Sequence, residues 1–287
     1  MSFRQRAIRI RFILVDSGGN EVIDLTDHRC DAIVQNPGGG INVGMLQLRV
    51  YGMKQTDMNI LSTNGLHPLA VKQNEVFVSA GDVGGNIQQI FSGTINAAYV
   101  DYSDMPNVSF NVQAVSGFYH QIAPIAPNSY KGAVDVASVI QSITKSMGFA
   151  FQNNGVTAKV KDQYLPGTAI QQIKRIAEAS STIVSIENNT VTIWPNGSYR
   201  DSDVVDISPS TGMVGYPMFT PYGITVKHEF NPHVVIGRKV NVTSSEARAS
   251  GGWATQFVTH ELSTLAPNGP WFTTMNLTEN TLYVSWN

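Results

Sequence analysis

Residues able to ligate a metal or transfer a proton are scattered along this chain. The histidines are His28, His67, His120, His228, His233 and His260, and no two have the spacing that places two ligands on one face of a helix. His228 and His233 flank a short loop, where a zinc site would need Glu229 as a third ligand. Because this carboxylate is the only such group nearby, we expect no metal and no cofactor.

Two other arrangements are candidates for catalysis. His28 lies two residues before the single cysteine, Cys30, as a base would lie near a thiol nucleophile. A lone small thiol between a turn and a strand is more often a packing residue. Asp201 and Asp203 are a candidate acid/base couple, but their polar linker is typical of solvated turns. No Gly-x-Ser-x-Gly motif is present, and we predict no catalytic residue and no enzyme activity.

A glycine-rich stretch, "NPGGGINVG" at 36–44, is a candidate phosphate-binding loop. It lacks the Gly-Lys-Ser/Thr of a P-loop, and its glycines are not spaced as Gly-x-Gly-x-x-Gly. We therefore interpret it as a flexible loop between two strands.

Tryptophans are the remaining candidates for a ligand surface: Trp194, Trp253, Trp271 and Trp286. Carbohydrate-binding proteins stack sugars on exposed aromatic rings, so a lectin-like role stays open. Each tryptophan lies in or beside a predicted strand, which favours packing in a core or an interface. The Asn-Gly-Pro turn in "STLAPNGPWFTT" directly precedes Trp271 and Phe272, and the same alternatives apply to this pair.

Charged residues make up only 14% of the 287 residues, against roughly 25% in typical globular proteins. The formal net charge is −2, which argues against general nucleic-acid binding because proteins of that class are basic. Charges are depleted at the centres of protein interfaces, so the composition suits a chain that other chains cover. It suits equally a β-rich protein with a polar, uncharged surface. The single cysteine excludes an intrachain disulfide, and no apolar run reaches the ~18 residues of a membrane-spanning helix.

Alternating strands dominate the first part of the chain. In "AIRIRFILV", apolar residues recur with a period of two, which buries one face of a strand: Ile8, Ile10, Phe12 and Leu14. "MLQLRVYGM" repeats the pattern, and further runs follow between Gly, Asn, Asp and Pro. This spacing predicts an antiparallel sandwich or barrel over 1–118.

Helical periodicity replaces this pattern between 119 and 197. Apolar residues three or four positions apart predict two helices, near 133–147 and 168–180. Thr168 and Gln171 have the spacing of a capping box at the start of the second helix. Short strands lie between and after the helices, so the sequence predicts a compact α+β module.

Strand patterns return from 198 to 287, among them "GITVKHEF", "WATQFVTHELST" and "TLYVSW". The predicted order is a β domain at 1–118, the α+β module at 119–197 and a second β domain at 198–287. The two β domains have similar numbers and lengths of strands, which hints at an internal duplication.

Turn and strand-edge phrases are the most distinctive part of the sequence. They include "PNSYKG", "DQYLPGT" and "TVTIWPNG", and then "ISPSTGMVGYP", "NPHVVIGRKVNVTSS" and "GGWATQFVTHELSTLAPNGPWFTT". In their number and order, from about Gln89 to Thr274, these phrases resemble the baseplate hub proteins of contractile-tailed bacteriophages. The resemblance implies a mainly β fold in which two tube-like antiparallel β-barrels flank or enclose the helix-containing module.

The same resemblance implies a role and a set of partners. It implies a homotrimer that adapts the six-fold tail tube to the three-fold central spike, with the genome passing through the lumen without specific binding. The expected partners are the tail tube or tube-initiator protein, the central spike and the baseplate wedge proteins. The expected location is the virion tail baseplate, after assembly in the host cytoplasm. On this interpretation, Trp271 and Phe272 begin a strand of the second barrel and pack in the barrel or the ring interface.

Other functions stay open at this point. The tail-tip or distal hub of a non-contractile phage shares the fold. A host-glycan-binding tail protein would expose its tryptophans. A cell-wall hydrolase is disfavoured, since the sequence has no catalytic dyad or zinc motif.

Overall fold

The computed structural model describes residues 5–16, 19–63 and 73–279. His67, Trp286 and the predicted strand "TLYVSW" lie outside these residues. The described residues form 19 β-strands and four α-helices in two compact units, so the fold is mainly β, as predicted. Of the described residues, the first unit contains 5–16, 19–35, 44–63, 73–119 and 260–271, and the second contains 36–43, 120–259 and 272–279.

Seven antiparallel strands, each hydrogen-bonded to the next, make up most of the first unit. Their order is β3 (Cys30–Pro37), β5 (Met45–Tyr51), β8 (Ser109–Val115), β7 (Ile87–Asp101), β6 (Glu75–Asp82), β1 (Arg6–Asp16) and β2 (Gly19–Leu25). The short helix α1 (Gln55–Leu61) and the last residues of β18 (Gly251–Thr264) also belong to this unit. The short helix α2 (Phe118–Ile122) begins in it and ends in the second unit.

The period-two pattern of β1 is confirmed by the burial of its side chains. Ile8, Ile10, Phe12 and Leu14 are at most 6% exposed, and they pack with the inward side chains of the neighbouring strands. Alternate residues of β1 lie on the opposite face of the sheet. The apolar face of each strand thus fixes the register of the sheet, because a slip of one residue would expose it.

Two helices, α3 (Val136–Ser146) and α4 (Ala169–Ser180), form the helical part of the second unit. Helix α3 begins three residues after its predicted start, because β9 (Asn128–Asp135) continues up to it. The carboxylate of Asp135 caps the helix by accepting a hydrogen bond from Ser138 N at 2.9 Å. No helix in the described residues is long and apolar enough to cross a membrane.

The predicted capping box begins α4. Thr168 Oγ1 accepts from Gln171 N at 3.3 Å, and Gln171 Oε1 accepts from Thr168 N at 3.1 Å. These bonds satisfy two backbone donors that the first helical turn leaves without intrahelical partners. The helix ends at Ser181, which takes a left-handed conformation with φ 51°.

A four-stranded sheet packs against these helices. Its order is β10 (Ala150–Asn153), β13 (Thr190–Pro195), β12 (Thr182–Glu187) and β4 (Ile41–Val43). Strands β12 and β13 form the predicted hairpin, whose turn residues Asn188 and Asn189 have positive φ. Both faces are buried: Val184 and Ile193 pack with the helices, and Trp194 packs with a second apolar cluster.

The interpretation of 36–44 as a flexible loop is wrong. Residues 41–43 form β4, which pairs in parallel with β12, because Ile41 and Val43 contribute apolar side chains to the core beneath the helices. Gly38 allows its backbone to lie close to that of Gln256, because a Cβ at this position would lie 2.1 Å from the carbonyl oxygen of Gln256. Backbone contact, rather than phosphate binding, accounts for this glycine.

Most of the other strands of the second unit surround the apolar cluster that contains Trp194. β15 (Met213–Thr220), β16 (Gly223–Glu229) and β19 (Trp271–Thr278) are consecutive and antiparallel. β14 (Val204–Ile207) pairs in parallel with β17 (Lys239–Val242), which pairs with β18. β11 (Lys159–Leu165) pairs separately with β9. The prediction that Trp271 begins a strand is confirmed.

Replacing either helix-core isoleucine with aspartate tests the packing of the module. Ile140 and Ile173 are fully buried, so Ile140→Asp and Ile173→Asp each place a charge in the apolar core. We expect each variant to lose several kcal/mol of unfolding free energy, measured by urea denaturation. Gln141→Asp, on the exposed face of α3, is the matched control and should lose less than ~1 kcal/mol. Equal midpoints for Ile140→Asp and the control would contradict this packing.

Candidate functional site

The thiol of Cys30 has the environment of a packing residue. Cys30 is fully buried, and burial raises the pKa of its thiol to about 12. His28 directs Nδ1 to the carbonyl oxygen of Thr26, at 2.7 Å. A nucleophilic thiol needs a lowered pKa, so this pair is not arranged for thiolate chemistry at neutral pH.

The loop between His228 and His233 does not assemble a metal site. His228 is 4% exposed and places Nδ1 beside the carbonyl oxygen of Glu229, whereas His233 is exposed. Across 5–16, 19–63 and 73–279, no group of three or more His, Cys, Asp and Glu side chains is arranged to hold a metal ion.

The described tryptophans are core residues. Trp194, Trp253 and Trp271 are 0%, 4% and 7% exposed, and Trp253 donates its indole N–H to the carbonyl oxygen of Ala249 at 2.9 Å. A stacking platform for sugars needs an exposed ring, and none of these three has one.

Asp201 and Asp203 bind an arginine instead of forming an acid/base couple. The guanidinium of Arg238 donates to both carboxylate oxygens of Asp201, at 3.0 Å from Nε and 2.7 Å from Nη2. Nη2 also lies 3.2 Å from Asp203. Such charge-assisted, bidentate pairing holds the two carboxylates in place.

A second ion pair lies deeper, next to Trp194. Arg200 Nη1 donates to Glu187 Oε2 at 2.9 Å, and each side chain is only 12% exposed. The guanidinium of Arg200 lies 5.8 Å from the centre of the Trp194 ring, and its backbone N–H donates to Gly237. We call Trp194, Arg200 and Glu187 the ion-pair joint. It connects the hairpin β12–β13 to the strand cluster that follows it within the second unit.

A polar cleft of about 610 Å³ opens beside the ion-pair joint. Its lining residues are Gln152, Asn154, Tyr199, Arg200, Asp201, Ser202, Asp203 and Arg238. Both arginines in this lining already bind carboxylates of the same chain. The charges of the cleft are thus used to hold the chain together.

The most exposed aromatic side chains of the described residues lie on the hairpin β15–β16. Tyr216 is 73% exposed and Tyr222 82%, and they lie close in sequence to the exposed Met218 and Phe219. We call these four residues the apolar tip. Tyrosine, phenylalanine and methionine are enriched in protein interfaces, so this surface is the candidate functional site.

Sequence reasoning missed the apolar tip, although a signal was present. The run from 207 to 226 contains no Asp, Glu, Lys, Arg or His. At 20 residues it is the longest such run in the chain, only slightly longer than the 18 residues of 83–100, and on an exposed hairpin it is consistent with a covered surface. The alternation of residues within this run predicts only a strand.

The local backbone explains why the tip is exposed. The pairing of β15 with β16 shifts register between Val214 and Met218, and Gly215 within this bulge has φ 73°. A bulge bends and twists its strand. The side chains of Gly215–Met218 therefore depart from simple inward and outward alternation, and only Pro217 among them is buried.

Comparison with known families gives one match over most of the chain. A family model described as "Baseplate hub gp41" matches residues 49–263. No curated protein matches the sequence.

Two solved tail proteins and one secretion-system component share this fold. The chain superimposes with a TM-score of 0.60 on a tail protein from Neisseria meningitidis, at 11% identity, covering 96% of this chain and 97% of that one. A 43 kDa tail protein of a Shewanella oneidensis prophage gives 0.58 at 8% identity, with 96% and 99% covered. A type VI secretion system component of E. coli, described as structurally similar to the T4 tail proteins gp27 and gp5, gives 0.58 at 11%, with 91% and 74% covered. At these identities the likeness shows the fold.

Substitution of Arg200 tests the ion-pair joint. Arg200→Leu leaves the carboxylate of Glu187 nearly buried without its partner, so we expect a loss of about 3–5 kcal/mol in unfolding free energy. Arg200→Leu with Glu187→Leu should recover much of that loss. The control is Lys174→Leu, which removes an exposed pair with Glu178 and should cost less than ~1 kcal/mol. An Arg200→Leu midpoint equal to that of Lys174→Leu would show that the joint does not stabilise the fold.

The buried His260 predicts acid sensitivity. Its side chain is 3% exposed, and burial lowers its pKa to about 4, below the ~6.5 of an unfolded chain. Between these values the unfolded chain binds a proton that the folded chain does not, so the unfolding free energy falls as the pH falls from 6.5 to 4. This contribution totals about 3 kcal/mol. Urea denaturation at several pH values should give a shallower dependence for His260→Gln than for His233→Gln, an exposed control. An equal pH dependence of the unfolding free energy in the two variants would refute this contribution of His260.

Proposed function

Because the chain belongs to the baseplate hub gp41 family, we propose that it is the trimeric hub that joins the tail tube to the central spike. As a member of this family, the protein is a structural component of a phage tail baseplate and not an enzyme. Its location is accordingly the tail baseplate of the virion.

The family match carries this proposal. It spans strands β5 to β18 and therefore includes the whole α+β module and strands of both units. The tail-protein fold extends over 96% of the chain, so the likeness is not confined to one module.

We propose that the strands of 1–118 and 198–287 supply two tube-like barrels and that 119–197 forms the module between them. Three copies would then present six similar barrels to a six-fold tube and three chains to a three-fold spike. A closed cyclic ring is the simplest arrangement that satisfies both symmetries. The low charge of the chain supports it, since ring surfaces are covered by neighbours.

Partners follow from the same arrangement. A tail-tube or tube-initiator protein would bind the six-barrel side, the spike the three-fold side, and wedge proteins the outside. Assembly would take place in the host cytoplasm before attachment to a contractile tail. The E. coli structure described as similar to the T4 tail proteins gp27 and gp5 supports a tail-protein fold for the chain. A glycan-binding role has no support from the described tryptophans, which are buried.

The copy number in intact tails tests the proposal. Cryo-electron microscopy of purified tails should place three copies at the junction of tube and spike, with two barrels of each chain toward the tube. The bore should be neutral to acidic, because a basic wall would retain the passing genome. Six copies, or only one barrel of each chain toward the tube, would refute the proposal that the chain is a trimeric hub. The purified chain alone can remain a monomer, since ring closure would then depend on tube or spike.

A further inference from the structure

A row of polar side chains crosses the four-stranded sheet on the face turned away from the helices. The row takes one residue from each strand, and these residues are paired in register: Gln152, Thr192, Ser185 and Asn42. Directly paired residues lie on the same face of a sheet, and the opposite face of these strands carries the apolar side chains that pack with α3 and α4. We call these four residues the polar row.

The inner end of the polar row is buried and lacks hydrogen-bond partners. Asn42, Ser185 and Thr192 are at most 1% exposed. In the part of the chain that the structure describes, neither amide atom of Asn42 nor Oγ of Ser185 has a partner. The same is true of Glu187 Oε1 and Trp194 Nε1, which lie on the same face two residues along their strands. Buried polar groups almost always bind a partner, because leaving one unpaired costs stability.

The outer end of the polar row lies at the polar cleft. Gln152 is exposed and lines the cleft, as does Arg200, whose Nη2 lies 3.4 Å from Thr192 Oγ1. Neighbouring strands are about 4.8 Å apart, so the row extends over roughly 14 Å from Gln152 to Asn42. A molecule that enters from the cleft therefore meets polar side chains along the whole row.

The unpaired atoms determine the chemistry of the ligand. Asn42 Nδ2 and Trp194 Nε1 only donate hydrogen bonds, whereas Asn42 Oδ1 and Glu187 Oε1 only accept them. A metal cation would satisfy the acceptors alone and would lie near the guanidinium of Arg200. An anion would satisfy the donors alone and would face the carboxylate of Glu187. A small neutral molecule that both donates and accepts satisfies all of these atoms, and water has that chemistry.

We propose that the polar row binds internal water that enters from the cleft. Because a buried water makes roughly three hydrogen bonds, the unpaired atoms require about two molecules. The inference goes beyond the proposed function and does not depend on it, since all of these residues belong to the second unit. It makes the cleft the route by which the interior beside the ion-pair joint is hydrated.

Oxygen-17 magnetic relaxation dispersion on the purified full chain tests the proposal, because it counts internal waters and measures their residence time. Asn42→Leu replaces the amide by an apolar side chain of similar size, and we expect it to lose at least one long-lived water. Thr255→Val is the matched control: Thr255 is also buried, but its hydroxyl already donates to the carbonyl oxygen of Arg238 at 3.0 Å. The control should keep the wild-type number of waters. Equal numbers in the two variants would overturn the proposal.

The route from the cleft has a test of its own. Gln152→Leu places an apolar side chain at the outer end of the polar row, so we expect the residence time of the internal waters to lengthen. Gln141→Leu, on the exposed face of α3, is the control and should leave the residence time unchanged. Equal residence times in these two variants would overturn entry from the cleft.

Should Asn42→Leu fail to fold, a crystal structure of the wild-type chain gives a second readout. Ordered water must then lie within hydrogen-bond distance of Asn42 and Ser185. A metal ion, a protein group or no ordered water beside these two side chains contradicts the proposal.

Discussion

The structure of the second unit depends on the ion-pair joint between Glu187, Arg200 and Trp194. The four-stranded sheet is buried on both faces, so its hairpin must pack on helices on one side and on β-strands on the other. Arg200 lies five residues after the end of the hairpin and anchors this segment by binding back to Glu187. A Cβ on Gly237 would lie 2.6 Å from the Trp194 ring, so only glycine fits beside the joint.

Buried charge at this position is consistent with a structural protein. An ion pair with so little exposure to solvent stabilises the fold little more than apolar residues of similar size would. Removing one partner, however, lowers the unfolding free energy strongly. The ion pair therefore penalises alternative packings of the module more than it stabilises the native one. The carboxylates of Asp201 and Asp203 bind Arg238, so the polar groups of the cleft also hold segments of the chain together.

Much of the fold was predictable because local patterns and tertiary packing agree. The strand β1, the capping box at Thr168 and the Asn188–Asn189 turn each follow from a local rule and are confirmed. The start of α3 was misplaced, since a strand competes for the same residues up to Asp135. Strand β4 was missed because its three residues form a strand only by pairing with β12, far away in sequence.

The candidate site was less predictable than the fold. Cys30, His228 and the three described tryptophans are buried, because such side chains pack well in cores. The apolar tip carries no catalytic residue type, and its exposure depends on the bulge at Gly215 and on β15 being terminal. Strand order is a property of the folded chain. Of these features, the sequence shows only the absence of charge across 207–226.

Electron microscopy of particles assembled without this chain tests the central claim most directly. If the chain is the hub on which tube and spike assemble, its removal should leave heads without complete tails, and restoring the wild-type chain should restore them. Full-length tails with a complete baseplate in its absence would contradict a hub role.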